Sequence, residues 1–297
     1  MRDVTLRLGS FVLWLALPAW ATPPPLAPDS PEARLRALEA SAGGRLGVAA
    51  LDTGSGRRLA HRGGESFPMC STFKVLLAGA TLARVDAGRE ALDRSISYGK
   101  ADLLDYAPVT TARVGEGRLT VGELCTATVE VSDNTAANLL MRELGGPPAM
   151  TAFARTLGDS VTRLDRVEPE LNEALPGDPR DTTTPEAMLG DLKALLLEPT
   201  LRTASRARLE GWMVGCKTGG NRLRAGLPTD WVVGDKTGSG ARGTVNDVAV
   251  LRPPHRAPIL VTAYFTGSTV EDRDAVLAEV GRIVVAAFGS PSAPKSR

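Results

Sequence analysis

The strand-like segments of this chain lie near its two ends, and a long stretch of helical patterns separates them. Near the start, Arg45–Asp52 and residues 57–61 flank Thr53-Gly54-Ser55-Gly56, which is a typical hairpin connection. Three further strand-like runs follow near the other end, at residues 231–236, 244–251 and 258–265. We therefore expect one antiparallel sheet that is assembled from both ends of the chain.

The predicted helices lie outside these strands and between them. Ser30 as N-cap and Pro31 at the first helical position begin a helix that runs to about Ala42, and residues 270–288 predict a closing helix. Between them, the patterns predict helices at 71–85, 120–131, 135–144, 147–157, 184–197 and 201–215. The fold class is thus α/β of the α+β type: an antiparallel sheet flanked by N- and C-terminal helices, with an inserted all-helical lobe and the active site in the cleft.

One domain is predicted over residues 32–288. It consists of an α/β lobe, at about 32–67 and 216–288, and a helical lobe at about 68–215. Within the helical lobe, residues 165–181 are rich in proline and aspartate and show no sustained period. A loop of this length without regular structure usually has a function.

Residues 1–21 have the organisation of a cleaved export signal. Arg2 and Arg7 precede an apolar run that is too short to span a bilayer, and Ala19-Trp20-Ala21 has the small-x-small form of a signal-peptidase site. We therefore expect a secreted, periplasmic protein with no membrane association after cleavage. An N-terminal anchor helix that stays in place is the alternative.

Two further terminal segments are predicted to lack regular structure. Residues 22–31 contain five prolines and predict a stiff, extended leader. Residues 289–297 predict a disordered tail.

Charge and histidine content exclude several classes of function. The 35 basic residues nearly balance the 34 acidic ones, and no run of five or six like charges occurs, so nucleic acid is not an expected partner. His61 and His255 are the two histidines, which are too few for a zinc site built from several imidazoles. We therefore expect no metal, and catalytic bases that are lysine or carboxylate.

Ser71-Thr72-Phe73-Lys74 places a hydroxyl at the start of a predicted helix and an amine one turn later on the same face. A lysine can act as the base that a serine nucleophile needs, and free N–H groups at a helix start can stabilise an oxyanion. The spacing alone is weak, because Ser97–Lys100 and Ser292–Lys295 also match it. A plain N-cap is the alternative reading of Ser71.

Two other short motifs follow in the chain. Ser132-Asp133-Asn134 lies between predicted helices, where Asp133 or Asn134 can cap the second helix. Lys236-Thr237-Gly238 ends a predicted strand and is followed by Ser239, so a lysine and two hydroxyls lie at a sheet edge. A second triplet, Lys217-Thr218-Gly219, comes off a helix and is the weaker candidate.

In this order, the three motifs resemble those of the serine penicillin-recognising enzymes. Residues 168–172, Glu-Pro-Glu-Leu-Asn, resemble the omega-loop signature of class A β-lactamases and fall in the irregular interval. The similarity extends from about residue 32 to residue 288. Since cell-wall transpeptidases and carboxypeptidases share the first three motifs without this glutamate, the chain most resembles a class A serine β-lactamase.

The resemblance implies hydrolysis of the β-lactam ring of penicillins and cephalosporins through a serine acyl-enzyme, which confers antibiotic resistance. It also implies small-molecule β-lactam substrates, a monomer and no cofactor. The alternatives are a D-Ala-D-Ala carboxypeptidase or transpeptidase and a β-lactam-binding sensor domain that stays acylated. Glu168 with Asn172 argues against both, because only a hydrolase needs a fast deacylation base.

The resemblance assigns catalytic roles to seven residues. Ser71 is the nucleophile, and its N–H together with that of Ser239 forms the oxyanion hole. Lys74 or Glu168 takes its proton, a choice that the sequence leaves open. Ser132 passes a proton to the lactam nitrogen with the help of Lys236, and Glu168 with Asn172 activates the deacylating water.

Substrate-binding roles are implied for a second set: Asn134, Thr237, Gly238, Ser239, Arg222 and Tyr106. Lys236 also contacts the substrate carboxylate. Arg222 occupies a position where some members of the family carry a carboxylate-binding arginine. Val245 occupies the position where other members carry that arginine. A surface charge is the alternative for Arg222, and a partly buried side chain is the alternative for Tyr106.

Two structural expectations complete the resemblance. Arg166 and Asp181 would pair across the neck of the omega loop. Cys70, Cys125 and Cys216 would form neither of the family's bridges, because the partner positions hold Ala78 and Gly240.

Overall fold

The computed structural model describes residue 27 and residues 29–289. The predicted export signal, residues 22–26 and 28 of the predicted leader, and residues 290–297 of the predicted tail lie outside the described residues.

One antiparallel sheet forms the centre of the fold. Its strands are β1 (Arg45–Asp52), β2 (Arg58–His61), β7 (Val232–Gly240), β8 (Thr244–Arg252) and β9 (Ile259–Thr266), in the order β2-β1-β9-β8-β7. β1 pairs with β9 along its whole length, from Arg45 opposite Thr266 to Asp52 opposite Ile259. The predicted sheet assembled from both ends of the chain is therefore confirmed.

The α-helices of the described residues lie on both sides of this sheet. They are α1 (Pro31–Ala42), α2 (Phe73–Asp86), α3 (Pro108–Ala112), α4 (Val121–Glu130), α5 (Asn134–Leu144), α6 (Pro147–Thr156), α7 (Pro185–Leu196), α8 (Thr203–Val214) and α9 (Arg273–Phe288). None of these described helices is both long and apolar enough to cross a membrane.

Both faces of the sheet are buried because successive side chains of a strand point to opposite sides. On β1, Leu46, Val48 and Ala50 belong to the core that α1 and α9 cover. Ala49 and Leu51 belong to the second core, which continues into the helices of the insert. The predicted flanking of the sheet by the first and last helices follows from this alternation.

α2 is the central helix of the insert. All its residues from Phe73 to Leu82 are buried, and it packs against α4, α5, α6 and α8. The insert is not purely helical: β4 (Ser95–Ser97) pairs with β5 (Arg118–Thr120), and β6 (Thr182–Thr183) pairs with β3 (Phe67–Pro68). These pairings involve two or three residues each, which is too short for a sequence period to reveal.

A pair of buried carboxyl groups joins α7 to the turn that precedes residues 165–181. Asp159 Oδ1 accepts the N–H groups of Val161 and Thr162 at 2.6 and 3.0 Å. No N–H or hydroxyl donor of the described residues reaches Asp159 Oδ2 or either oxygen of Asp191, and Asp191 is 1% exposed. Burial, and then the charge of Asp159, raises the pKa of Asp191 to about 9. Asp191 therefore keeps its proton at neutral pH and can donate it to Asp159.

We expect Asp191→Asn to stabilise the protein increasingly as the pH rises. Unfolded Asp191 ionises near its ordinary value of 3.8 and folded Asp191 near 9. Between these values the folded state holds a proton that the unfolded state has released, so stability is lost as the pH rises through this range. Asparagine keeps the donor and does not titrate. The melting temperature of the variant minus that of wild type should grow from pH 5 to pH 9 and then level off.

Asp93→Asn, at an exposed carboxylate, is the matched control and should give no such trend. If Asp191→Asn lowers the melting temperature equally at every pH, Asp191 is ionised in the folded protein.

Candidate active site

The chain makes a tight turn immediately before α2. Residues Cys70–Thr72 form a single 3-10 turn, and Cys70 has a left-handed backbone with φ of 45°. Asn246 on β8 donates from Nδ2 to the carbonyl oxygens of Pro68 and Met69, at 2.8 and 3.0 Å. This anchor ties the segment before Ser71 to the sheet and leaves the serine hydroxyl at the bottom of the cleft.

Ser71, Glu168 and Lys74 meet in the cleft. Ser71 Oγ donates a hydrogen bond to Glu168 Oε1 at 3.1 Å, and Lys74 Nζ lies 2.9 Å from the same oxygen. The side chains of Lys74 and Glu168 are both fully buried. The sequence placed Lys74 within reach of Ser71, and the structure adds that the carboxylate of Glu168 lies between them.

Ser132 stands between the two buried lysines. Its backbone is left-handed, with φ of 60°. Lys74 Nζ donates to the Ser132 carbonyl oxygen at 2.9 Å and lies 3.3 Å from Ser132 Oγ, while Lys236 Nζ lies 3.0 Å from the same hydroxyl. Lys74 Nζ also donates to Asn134 Oδ1 at 2.6 Å. The hydroxyl of Ser132 is thus within proton-transfer distance of both amines.

Asp133 holds this turn in place. Its carboxylate accepts the N–H of Ala136 at the start of α5 and those of Val109 and Thr110 in α3. It is fully buried. The motif is therefore a helix cap at Asp133 and a source of site residues at Ser132 and Asn134, so both readings of the sequence apply.

The loop at residues 165–181 delivers Glu168 to the cleft. Arg166 Nε lies 2.6 Å from Asp181 Oδ2, so the predicted pair across the neck is present. Asp181 Oδ1 also accepts the N–H groups of Asp165 and Arg166, at 2.8 and 2.9 Å. Asn172 Nδ2 donates to Glu168 Oε2 at 2.5 Å.

Asn138 is a site residue that the sequence reasoning missed. Its amide donates to the Glu168 carbonyl oxygen at 2.8 Å and accepts the Glu168 N–H at 3.0 Å. It fixes the backbone of the loop to α5. One signal could have found it: Asn138 follows Asn134 by four residues, so both amides lie on the same face of α5.

The two lysines lie in an environment that disfavours their charge. Burial, and then the charge of Lys74, lowers the pKa of Lys236 to about 7. Burial lowers the pKa of Lys74 as well, and the carboxylate of Glu168 opposes that shift. Lys236 is thus poised to exchange protons near neutral pH.

β7 carries the third motif past the nucleophile. The sequence predicted that this strand ends at Lys236, but it continues through Thr237, Gly238 and Ser239 to Gly240. A β-carbon at Gly238 would lie 2.8 Å from the Met69 carbonyl oxygen, so only glycine allows the strand this close to the serine. The strand is longer than predicted because the glycines pair with β8 as regularly as the preceding residues.

Arg222 is buried and donates four hydrogen bonds to protein groups, which excludes the surface-charge reading. Its guanidinium donates to Asp274 Oδ1, to the carbonyl oxygens of Gly238 and Asn246, and to Ser239 Oγ, at 2.7 to 2.9 Å. It therefore fastens the end of β7. Val245, at the alternative arginine position, faces Ser239 across the β7–β8 pair.

The remaining predicted site residue lies at the rim. Tyr106 is 52% exposed, and its carbonyl oxygen accepts the N–H of Asn134 at 2.9 Å. Ser97 of the competing serine-lysine spacing lies on β4, and Ser292 falls outside the described residues. In the described part of the chain, no cluster of three or more possible metal-binding side chains occurs. Cys70, Cys125 and Cys216 are buried free thiols.

We expect Asp181→Ala to loosen the loop at residues 165–181. The change leaves three donors without their acceptor, and each orphaned donor in a partly buried site costs about 1–3 kcal/mol. Hydrogen exchange should show the loop opening at least tenfold more often, while exchange in β1 and β9 stays unchanged. Glu173→Ala removes the exposed partner of Arg166 and is the control that should leave loop exchange close to wild type. Equal effects of the two variants would contradict the role of Asp181.

Known proteins share the sequence and the fold of this chain. The model of the Beta-lactamase enzyme family matches residues 30–288. The β-lactamase AST-1 of Nocardia asteroides is 52% identical over 258 residues, which cover 86% of this chain and 83% of that relative. The β-lactamase CTX-M-97 of Escherichia coli is 47% identical over 262 residues, which cover 88% of this chain and 90% of that relative.

A solved structure of an ancestral class A β-lactamase has a TM-score of 0.86 and 64% identity, and the match covers 87% of this chain and all of that one. The chain therefore belongs to the β-lactamase enzyme family, as a class A enzyme that hydrolyses β-lactams and so confers resistance to them.

Proposed function

We propose that this β-lactamase works through an acyl-enzyme on Ser71 and that Glu168 is the general base of both half-reactions. One observation carries the proposal: a single buried carboxylate accepts the hydrogen bond of the Ser71 hydroxyl and is fixed at its other oxygen by Asn172. A base that is already hydrogen-bonded to the nucleophile needs no rearrangement before it takes the proton.

Acylation moves one proton along a continuous set of contacts. Ser71 Oγ attacks the lactam carbonyl carbon and gives its proton to Glu168, while the N–H groups of Ser71 and Ser239 stabilise the oxyanion. The carbon–nitrogen bond then breaks, and Ser132 protonates the ring nitrogen. Lys74 replaces the proton of Ser132 and regains one from Glu168, since it contacts both.

Deacylation uses the same carboxylate. Glu168 and Asn172 hold a water molecule beside the ester, and Glu168 takes its proton as the water attacks the ester carbon. The carbon–oxygen bond of the ester breaks, and Ser71 recovers its proton from Glu168. Asn138 keeps the carboxylate in position through the backbone of Glu168.

The far end of β7 is proposed to bind the substrate carboxylate. Lys236 supplies charge, while Thr237 and Ser239 supply hydroxyl donors and Gly238 leaves room for the ring. Arg222 acts through Ser239, because it donates to Ser239 Oγ and most of its N–H groups are already engaged. In a separate contact, Asn134 binds the acyl-amide group and Tyr106 lines the entrance.

The enzyme is further proposed to be a monomer that is exported to the periplasm, as the sequence of residues 1–21 predicts. Its partners are small-molecule β-lactams. A transpeptidase or a sensor would not need the Glu168–Asn172 pair as a base for hydrolysis of the acyl-enzyme. The resemblance of residues 168–172 to the omega-loop signature favours a β-lactamase over a carboxypeptidase.

Glu168→Ala should slow acylation, in which Lys74 can still take the proton of Ser71, and should slow deacylation more, so that the acyl-enzyme accumulates. General-base assistance is worth about 10²–10⁴-fold, so deacylation should slow by at least that factor and become rate-limiting. Mass spectrometry with a penicillin should show a stable adduct on the peptide that contains Ser71, whereas wild type should show little adduct at steady state.

Glu170→Ala is the matched control, because Glu170 is an exposed glutamate on the same loop, and it should behave like wild type. Ser71→Ala should form no adduct. If wild type itself retains the penicillin for hours, the protein is a binding protein and the role of Glu168 is wrong.

Lys236 should give the Michaelis constant a pH dependence. With its pKa lowered to about 7, the free enzyme loses the ammonium as the pH rises above 7, and with it the attraction for the substrate carboxylate. The KM for a penicillin should therefore rise between pH 7 and pH 9, by up to about tenfold per pH unit. Lys236→Arg stays charged and should give a flatter profile. A flat wild-type profile over this range would show that Lys236 remains an ammonium.

A further inference from the structure

The second triplet, Lys217-Thr218-Gly219, lies directly beside the first one. Thr218 Oγ1 lies 2.5 Å from Thr237 Oγ1, and Cys216 Sγ lies 3.4 Å from Thr218 Oγ1. The thiol and two hydroxyls thus form a chain of hydrogen bonds that ends at Thr237. Cys216 is 8% exposed and Thr237 is 4% exposed, while Thr218 between them is half-buried, so both ends of this series of hydrogen bonds are shielded from water.

Contacts of the residues on both sides of Thr218 fix its position beside β7. The N–H of Lys217 donates to the Glu130 carbonyl oxygen at the end of α4, at 2.8 Å. Gly219 packs so closely on Asp235 that a β-carbon there would overlap the carboxylate. The alignment of Thr218 with Thr237 is therefore set by the fold.

A hydroxyl has one proton to donate, so the Thr237 hydroxyl cannot donate to Thr218 and to a substrate at the same time. A carboxylate can only accept hydrogen bonds, and Thr237 must donate its proton to bind one. Thr237 Oγ1 can then only accept from Thr218, and Thr218 Oγ1 accepts in turn from the Cys216 thiol. Burial, and then the charge of Asp235, raises the pKa of this thiol, so the last member of the chain keeps its proton.

We propose that Thr218 is a positioning residue that orients the Thr237 hydroxyl as a donor toward the substrate carboxylate, with the Cys216 thiol as the terminal donor of the chain. This inference rests on the carboxylate-binding role proposed for Thr237. Hydrogen bonds in a shielded chain polarise one another, so the bond from Thr237 to the carboxylate is stronger with Thr218 behind it. The arrangement makes this part of the site selective for acceptor-only groups.

Thr218→Val keeps the shape of the side chain and removes the donor. We expect it to raise the KM for benzylpenicillin about threefold to tenfold, with kcat within about twofold of wild type. Thr218→Ser should restore the KM. Cys216→Ala should have a smaller effect in the same direction, and Cys216→Ser should not. Lys217→Gln, in the same triplet, is the matched control and should leave the KM unchanged.

A probe without a carboxylate separates orientation from folding. The inhibition constant of a simple arylboronic acid, which bonds to Ser71 and has no carboxylate, should be the same in wild type and Thr218→Val. If that constant rises together with the KM, the effect of Thr218 is structural and the inference is wrong.

Thr237→Val separates the inference from the function on which it rests. It should raise the KM for benzylpenicillin, and adding Thr218→Val to it should have no further effect. If Thr237→Val raises the KM and Thr218→Val does not, the inference fails and the role of Thr237 stands. If Thr237→Val leaves the KM unchanged, the role of Thr237 fails and the inference fails with it.

Discussion

Lys74 and Glu168 place two charged groups in a part of the cleft where neither side chain is exposed to water. Removing one partner of such a buried pair typically costs about 3–5 kcal/mol, because the other charge is left uncompensated. The surrounding groups make the arrangement tolerable: Ser132 and Asn134 accept from the lysine, and Asn172 donates to the carboxylate. These contacts with the pair fix the positions of α2, of the turn before α5 and of the omega loop relative to one another.

Strained backbone persists near this ion pair because contacts from outside the pair hold it in place. Cys70 and Ser132 both have left-handed conformations, which cost non-glycine residues free energy. Each is held by outside contacts, since Asn246 fixes the segment before Ser71 and Asp133 fixes the turn that carries Ser132. The sheet and the insert thus supply the stability that the site uses to keep its reactive groups aligned.

Much of the fold could be read from local patterns. The bounds of α1 and β1 were predicted to the residue, because a capping serine, a proline and a hairpin sequence mark them. The end of β7 was predicted too early, since the glycines that allow the strand to pass Ser71 look like a turn in the sequence.

For the site, the motifs indicated Ser71, Lys74 and Glu168 as neighbours, and the structure brings them together. A local pattern can indicate which face of a helix a residue occupies, but it cannot name the partner of that residue in a distant segment. Asn138 bonds to the backbone of a residue 30 positions away, and the Thr218–Thr237 contact joins two triplets that the sequence treated as competitors. Burial and then the charge of Asp159 raise the pKa of Asp191, and only the packing of α7 brings the two carboxyl groups together.

The pairing of β1 with β9 also constrains when this protein can fold. Residues 45–52 find their sheet partner at residues 259–266, so the central sheet stays incomplete until most of the chain is available. Contacts between such distant segments form slowly, because the entropic cost of closing a long loop must be met before the contacts can stabilise the sheet. A chain that emerges from the ribosome in order cannot complete this sheet before residues 259–266 have been synthesised. The topology that builds the cleft therefore also delays completion of the central sheet until nearly the whole chain has been synthesised.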